Sequence, residues 1–96
     1  MGEYRLAPAA ERDLENIWRY TLDQWGLDQA DRYTDLLVGA FEALAQSPNT
    51  VQACGDIRPG YRRHRVGRHV IYIRPSNDEI VVVRILHDRM DPTPRL

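Results

Sequence analysis

The sequence predicts an α+β domain in which a short N-terminal strand and a helical hairpin precede a three-stranded antiparallel meander. Two observations carry that prediction. From Pro8 to Gln46, apolar residues recur at intervals of three and four, the period of amphipathic helices. After Tyr61 the pattern changes to short β-rich runs separated by Gly67-Arg68 and by Pro75-Ser76-Asn77-Asp78. A chain of 96 residues has room for one core, so residues 1–96 read as one domain.

Tyr4-Arg5-Leu6 alternates apolar and polar ahead of Pro8 and reads as the first strand. Ala10, Leu14, Ile17, Trp18, Thr21 and Trp25 then mark the apolar stripe of the first helix. Pro8 suits its first turn, and Glu11 and Asp13 face the positive end of its dipole. Ala7 stands where a capping Ser, Thr or Asp is expected, a loss of roughly 1 kcal/mol. Gly26 punctuates the hairpin, and Asp28 is the expected N-cap of the second helix. That helix carries Ala30, Tyr33, Leu37, Ala40, Phe41 and Leu44 on one stripe, with Leu36, Val38 and Ala43 beside it, until Ser47-Pro48-Asn49 stops it. So wide a stripe predicts burial on two sides, against the first helix and against a sheet. Asn49 to Gly60 reads as loop. Tyr61 to Val66, His69 to Arg74 and Glu79 to Leu86 read as consecutive antiparallel strands. The last is apolar on both parities, as an interior strand covered on both faces requires. Pro92 and Pro94 keep the tail out of the ladder.

Composition narrows the function. Hydrophobic content is 43% against 28% charged, with a net charge of -1, the balance of a folded chain. No unbroken apolar run exceeds four residues, where a membrane helix needs roughly 20. Gly2-Glu3-Tyr4-Arg5-Leu6 has neither the basic nor the apolar region of a secretory leader, and Cys54 has no second cysteine to pair with. A cytoplasmic protein without a membrane partner is expected.

All thirteen basic residues are arginine, so there is no lysine for Schiff-base or general-base work. Up to Ile57, four Arg stand against ten acidic residues, giving -6; from Arg58 onward nine stand against four, giving +5. High-GC coding explains the missing lysine but not the asymmetry, which is a physical argument about partners. Arginines among Tyr61, His64, Tyr72 and His87 suit phosphate or carboxylate contact. The plainer reading is solvated strand residues and edge guards, since Arg62 and His64 point to one face and Arg63 and Arg65 to the other. Metalloprotease, thiol-redox, nucleophile-elbow and phosphate-loop motifs are all missing. His64, His69 and His87 lack zinc-ligand spacing, and Cys54 reads as an ordinary loop thiol with no adjacent histidine. No metal or cofactor is expected.

An ordered set of segments points further. It comprises Tyr4-Arg5-Leu6, then Asp13-Leu14, Ile17-Trp18 and Tyr20-Thr21 within Ala10 to Thr21, then Gln24-Trp25-Gly26 with Gln29-Ala30 and Tyr33. Leu44 to Pro48, Gly60-Tyr61-Arg62, His69 to Tyr72 and Val82 to Asp91 complete it. The set spans nearly the whole chain and resembles the ParE branch of the RelE/ParE toxin superfamily. The resemblance implies a toxin of a bacterial toxin–antitoxin pair, with a helical hairpin on an antiparallel sheet. It implies a ParD-like antitoxin, with a ribbon-helix-helix DNA-binding part and a flexible segment that wraps the toxin. It also implies action on DNA gyrase, with DNA itself reached only through antitoxin or gyrase. The RelE-like branch instead cleaves mRNA on the ribosome, using basic residues and a C-terminal Tyr or His for proton transfer.

Arg84, His87 and Arg89 are the candidates for that alternative, His87 as acid or base and the arginines on phosphate. The tail has no tyrosine, and Arg84 and His87 have opposite strand parity, so a regular strand would not aim both into one pocket without a bulge. The expectation is therefore a toxic surface of Arg84, His87, Arg89 and Met90 that works by contact. Arg62 and Arg65 are expected to meet antitoxin carboxylates, with Trp18 and Trp25 alongside them. Trp18, Trp25, Tyr33, Leu37, Phe41 and Leu44 are otherwise expected to be scaffold. A chain that has lost toxicity and serves only as an antitoxin-bound accessory is the third reading.

Overall fold

A computed structural model of the chain describes residues 2–96; Met1 lies outside them. Strand β1 (Glu3–Leu6) leads into helices α1 (Pro8–Trp25) and α2 (Leu27–Gln46), and a 3₁₀ turn (Pro48–Thr50) leads into strand β2 (Gln52–Ala53). Strands β3 (Arg62–Val66), β4 (His69–Ser76) and β5 (Glu79–His87) follow. Among the described residues the sheet has five strands, in the order β1-β5-β4-β3-β2. The last three form the expected meander, and two more enlarge it. β1 lies parallel to β5, a pairing the helical crossover makes possible, and the two-residue β2 adds to β3 from within the stretch that reads as loop. β5 is interior, as its composition requires. β4 runs past Arg74 through Pro75, which pairs with Ile80. Proline is tolerated there because the pairing with β3 begins at Ile73, leaving no neighbour on that side to receive an N–H.

The helix ends differ from expectation at one point. Ala7 makes no side-chain cap, as its type dictates; its N–H instead donates to Val82 O at 2.9 Å and its carbonyl accepts from the Glu11 N–H. Gly26 ends α1 at φ 91°, a left-handed conformation that disfavours any side chain, and the same residue stands at the N-cap of α2. Asp28 is therefore not the cap. It lies in the first turn, where its charge still meets the positive end of the dipole.

Leu37 and Phe41 of α2 pack with Ile71, Ile73, Ile80, Val82 and Ile85 to form the main core. The wide stripe of α2 is only partly used, since Leu36 is 56% exposed and Ala43 is exposed. The other sheet face carries a smaller cluster of Cys54, Tyr72 and Leu86 under Ile57, Tyr61 and Leu96. Cys54, in the loop after β2, is thus fully buried, and burial raises its pKa.

One irregularity decides where the end of β5 points. At the turn, Ser76 pairs with Glu79, and that register carried back would set Ile71 opposite Arg84 and His69 opposite Leu86. A bulge between Tyr72 and Ile73 on the β4 side leaves Val83 as the extra residue. Beyond it Ile71 pairs with Ile85, Tyr72 with Arg84 and His69 with His87. Ile85 thereby joins Ile80 and Val82 in the main core, and Arg84 turns away from it.

Candidate functional site

The end of β5, the β3–β4 turn and the tip of the helical hairpin converge. Gly67 opens the turn at φ 56°, and a Cβ there would come within 3.0 Å of the Tyr33 hydroxyl, so α2 presses directly onto the turn. The Tyr33 hydroxyl donates to Val66 O at 3.1 Å and lies 2.6 Å from His69 Nδ1. A phenol has one proton, so a bond from Nδ1–H to its oxygen is compatible with the donation to Val66 O, whereas a bare Nδ1 would compete with that carbonyl for the proton. The His69 and His87 rings meet edge to face at 5.6 Å. His87 Nδ1 accepts from the Arg89 N–H at 3.2 Å and stands 3.1 Å from Asp88 Oδ1. The first contact needs a lone pair and the second a proton. Asp88 Oδ2 accepts from Arg65 at 2.6 Å, while its buried Oδ1 has no hydrogen bond. Tyr33, His69, His87, Asp88 and Arg65 thus form one polar chain.

Two cavities open on it. One of 410 Å³ is lined by Asn16, Tyr20, His69, Arg84, His87 and Met90 among others; one of 430 Å³ is lined by Tyr20, Trp25, Gln29, Tyr33, Arg68 and the same histidines. They share Tyr20, His69 and His87 and form a continuous groove. Trp25, Tyr20 and Met90, 74%, 65% and 46% exposed, flank it.

Arg84 and His87 do point to opposite faces, yet both line the groove, because the Arg84 guanidinium bends round the β5 edge left free where β1 ends. There it grips Asp13 of α1 through two bonds, Nε to Oδ2 at 2.8 Å and Nη2 to Oδ1 at 2.9 Å. Asp13 Oδ2 also accepts the Ile85 N–H, a ladder donor with no strand beside it. The bond to Asp13 raises the Arg84 pKa. Arg84 reaches the expected surface with its charge already matched, whereas Arg89 and Met90 are exposed.

Arg62 and Arg65 are not brought together. Arg62 faces the helix side and donates to Val51 O at 2.7 Å, while Arg65 is tied to Asp88 on the opposite face. Trp18 ties α1 to α2 through its indole N–H on Asp31, at 3.0 Å. Trp25 is not scaffold: it stands free at the hairpin tip. Asp13, Tyr20, Tyr33 and Asp88 are site residues that local sequence does not reveal. Nor does it reveal His69 as the neighbour of His87, which the local sequence leaves without a histidine or tyrosine partner.

The chain matches, over residues 4–92, the sequence model described as the ParE toxin of type II toxin–antitoxin systems, parDE. It belongs to the ParE toxin family. Toxin ParE1 of Mycobacterium tuberculosis (strain ATCC 25618 / H37Rv) is 45% identical over 91 residues, 94% of this chain and 93% of its own. Toxin ParE of Escherichia coli is 35% identical over 97 residues, covering 100% of this chain and 94% of its own. Among solved structures, a chain from "Chromosomal ParDE TA system from P. aeruginosa" superposes with a TM-score of 0.78 at 21% identity, covering 91% of this chain and 96% of that one. It shares the fold. Among the described residues, no helix of this ParE toxin is long and apolar enough to cross a membrane.

The ParE fold here carries a pH signature. Burial lowers the His69 pKa, and the neighbouring His87 lowers it further. The folded value lies below the unfolded value of about 6.5, so the unfolded chain binds the proton more readily. The stability tied to neutral His69 is complete above about pH 6.5 and is lost as pH falls through the folded value. Urea melts at pH 7.5 and 5.5 should show a smaller drop in His69→Gln than in the original chain. Equal drops would remove His69 from the explanation.

Proposed function

We propose that this ParE toxin inhibits DNA gyrase by contact through the groove at the end of β5, and that a ParD-like antitoxin neutralises it by filling the same groove. The observation that carries this reading is the groove itself, a concavity over the His69–His87 pair flanked by exposed Tyr20, Trp25 and Met90. Large exposed apolar side chains around a concavity suit a protein partner that supplies the missing half of a core. An antitoxin segment that orders on binding would place apolar residues there. Its carboxylates would meet Arg68 and Arg89, which are exposed at this end and have no carboxylate partner among the described residues. Both proteins would act in the cytoplasm.

The histidine pair supports the second reading, a ribosome-dependent nuclease, because His87 has another imidazole and, through it, a phenol within reach. Contact is favoured over that chemistry because Arg84, the arginine that lines the groove beside His87, is engaged by Asp13, and Arg65 is engaged by Asp88. Purified gyrase should lose supercoiling activity when this chain is added and regain it when a cognate antitoxin follows. Primer extension on translated mRNA should show no new ends. Intact supercoiling together with fresh mRNA ends would reverse the assignment.

A further inference from the structure

The two layers of the fold carry opposite charge. Helices α1 and α2 hold three Arg against eight acidic residues, giving -5, whereas residues 47–96 hold nine against five, giving +4. The positive layer is organised. Pairing registers put Arg5, Arg63, Arg65, Arg74 and Arg84 on the sheet face turned away from the helices, the face that also carries Tyr72 and Leu86. Three of these are neutralised: Arg5 by Glu79, Arg65 by Asp88 and Arg84 by Asp13. Arg63 on β3 and Arg74 on β4 have no carboxylate partner among the described residues. In the loop covering this face, Arg58 has no Asp or Glu partner among the described residues either. Its guanidinium is held over the Tyr61 ring at 5.5 Å and donates to Leu96 O at 2.6 Å.

We propose that this sheet face binds the phosphate backbone of duplex DNA, through Arg58, Arg63 and Arg74. Three features favour that partner. The guanidiniums without an Asp or Glu partner are spread over two strands and a loop, a breadth that matches a duplex carrying one charge per roughly 1.7 Å of axis better than one extended peptide. The apolar side chains of the face are already covered by Ile57, Tyr61 and Leu96, so it offers charge without slots for peptide side chains. Its aromatic rings are also engaged, Tyr72 buried and Tyr61 beneath Arg58, which leaves no stacking platform for single strands. Asp56 and Asp91, in the covering loop and tail, oppose part of that positive charge. The proposal departs from the sequence-based expectation that DNA is reached only through antitoxin or gyrase. The proposal does not rest on gyrase.

Fluorescence anisotropy of the full chain with a labelled duplex of arbitrary sequence tests it in the absence of gyrase. Three phosphate contacts predict a log-affinity slope against log salt of about -2.7, so raising salt from 50 to 200 mM should weaken binding about 40-fold. Arg63→Gln and Arg74→Gln should each reduce the slope by about 0.9, while Arg32→Gln on the helix layer leaves it unchanged. Circular dichroism confirms folding. Should Arg63→Gln unfold, Arg74→Gln and Arg58→Gln carry the same test. No binding at 50 mM salt, or slopes unchanged in the variants, would overturn the proposal. So would equal affinity for single-stranded DNA or duplex RNA, or equally effective competition by polyglutamate at matched charge.

Discussion

Phe41→Ala should destabilise the domain by about 3–5 kcal/mol. The ring is fully buried between α2 and the sheet, its centroid 5.5 Å from that of Tyr4 on β1, and it packs among Leu37, Ile71, Ile80 and Val82. Its removal takes apolar surface out of the core and leaves a cavity walled by β-branched strand residues that cannot collapse into it. A domain whose total stability is of order 5–15 kcal/mol loses much of it. Trp25→Ala is the contrast, since a side chain that is 74% exposed should shift the melting free energy by no more than about 0.5 kcal/mol. Urea unfolding of the two variants checks the pair. A stable, non-toxic Phe41→Ala protein would move that residue from core to interface.

Asp13→Ala should cost about 3 kcal/mol, a large effect for one carboxylate on a helix. Three donors converge on it: two from the Arg84 guanidinium and the Ile85 N–H. The parallel ladder between β1 and β5 stops at Leu6 opposite Val82, and α1 then runs beside the bare edge. Asp13 therefore does for that edge what another strand would do, while neutralising an arginine with a 24% exposed side chain. Alanine strands the guanidinium and the N–H together. Asp13→Asn keeps an acceptor for Ile85 but not the charge, so it should fall between the two. Equal stability of all three proteins would show that solvent replaces the carboxylate without cost.

Both helices and the meander are legible in the sequence because their signals are local: a period of three to four around Ile17, Leu37 and Phe41, and β-branched runs bounded by turn residues. The pairing of β1 with β5 is not, because it joins residues some 76 positions apart and four residues cannot announce a partner. Two-residue β2 has no period to read. At the site, His87, Arg89 and Met90 are visible from their place at the end of the last β-rich run. Their neighbours are not. Counting back from the Asn77-Asp78 turn pairs His69 with Leu86; only the bulge at Val83 brings the two histidines together. An apolar run such as Ile80 to Val83 hides a bulge, since either parity reads as core. Asp13 is hidden for a related reason, as its charge near a helix start looks like dipole compensation. Trp25 fits the helical period of α1 but falls where the chain turns, so its ring has no sheet beneath it.

Under the proposed function, the groove at the end of β5 works by contact and not by proton transfer. Gyrase supercoiling titrated with His87→Gln tests it most directly. Glutamine keeps hydrogen-bonding capacity and approximate size but carries no titratable proton. The contact account predicts inhibition largely retained in His87→Gln and lost in Arg89→Glu, with both proteins folded. A silent His87→Gln, alongside an original chain that cuts mRNA on ribosomes, would contradict it and assign the histidine pair to catalysis.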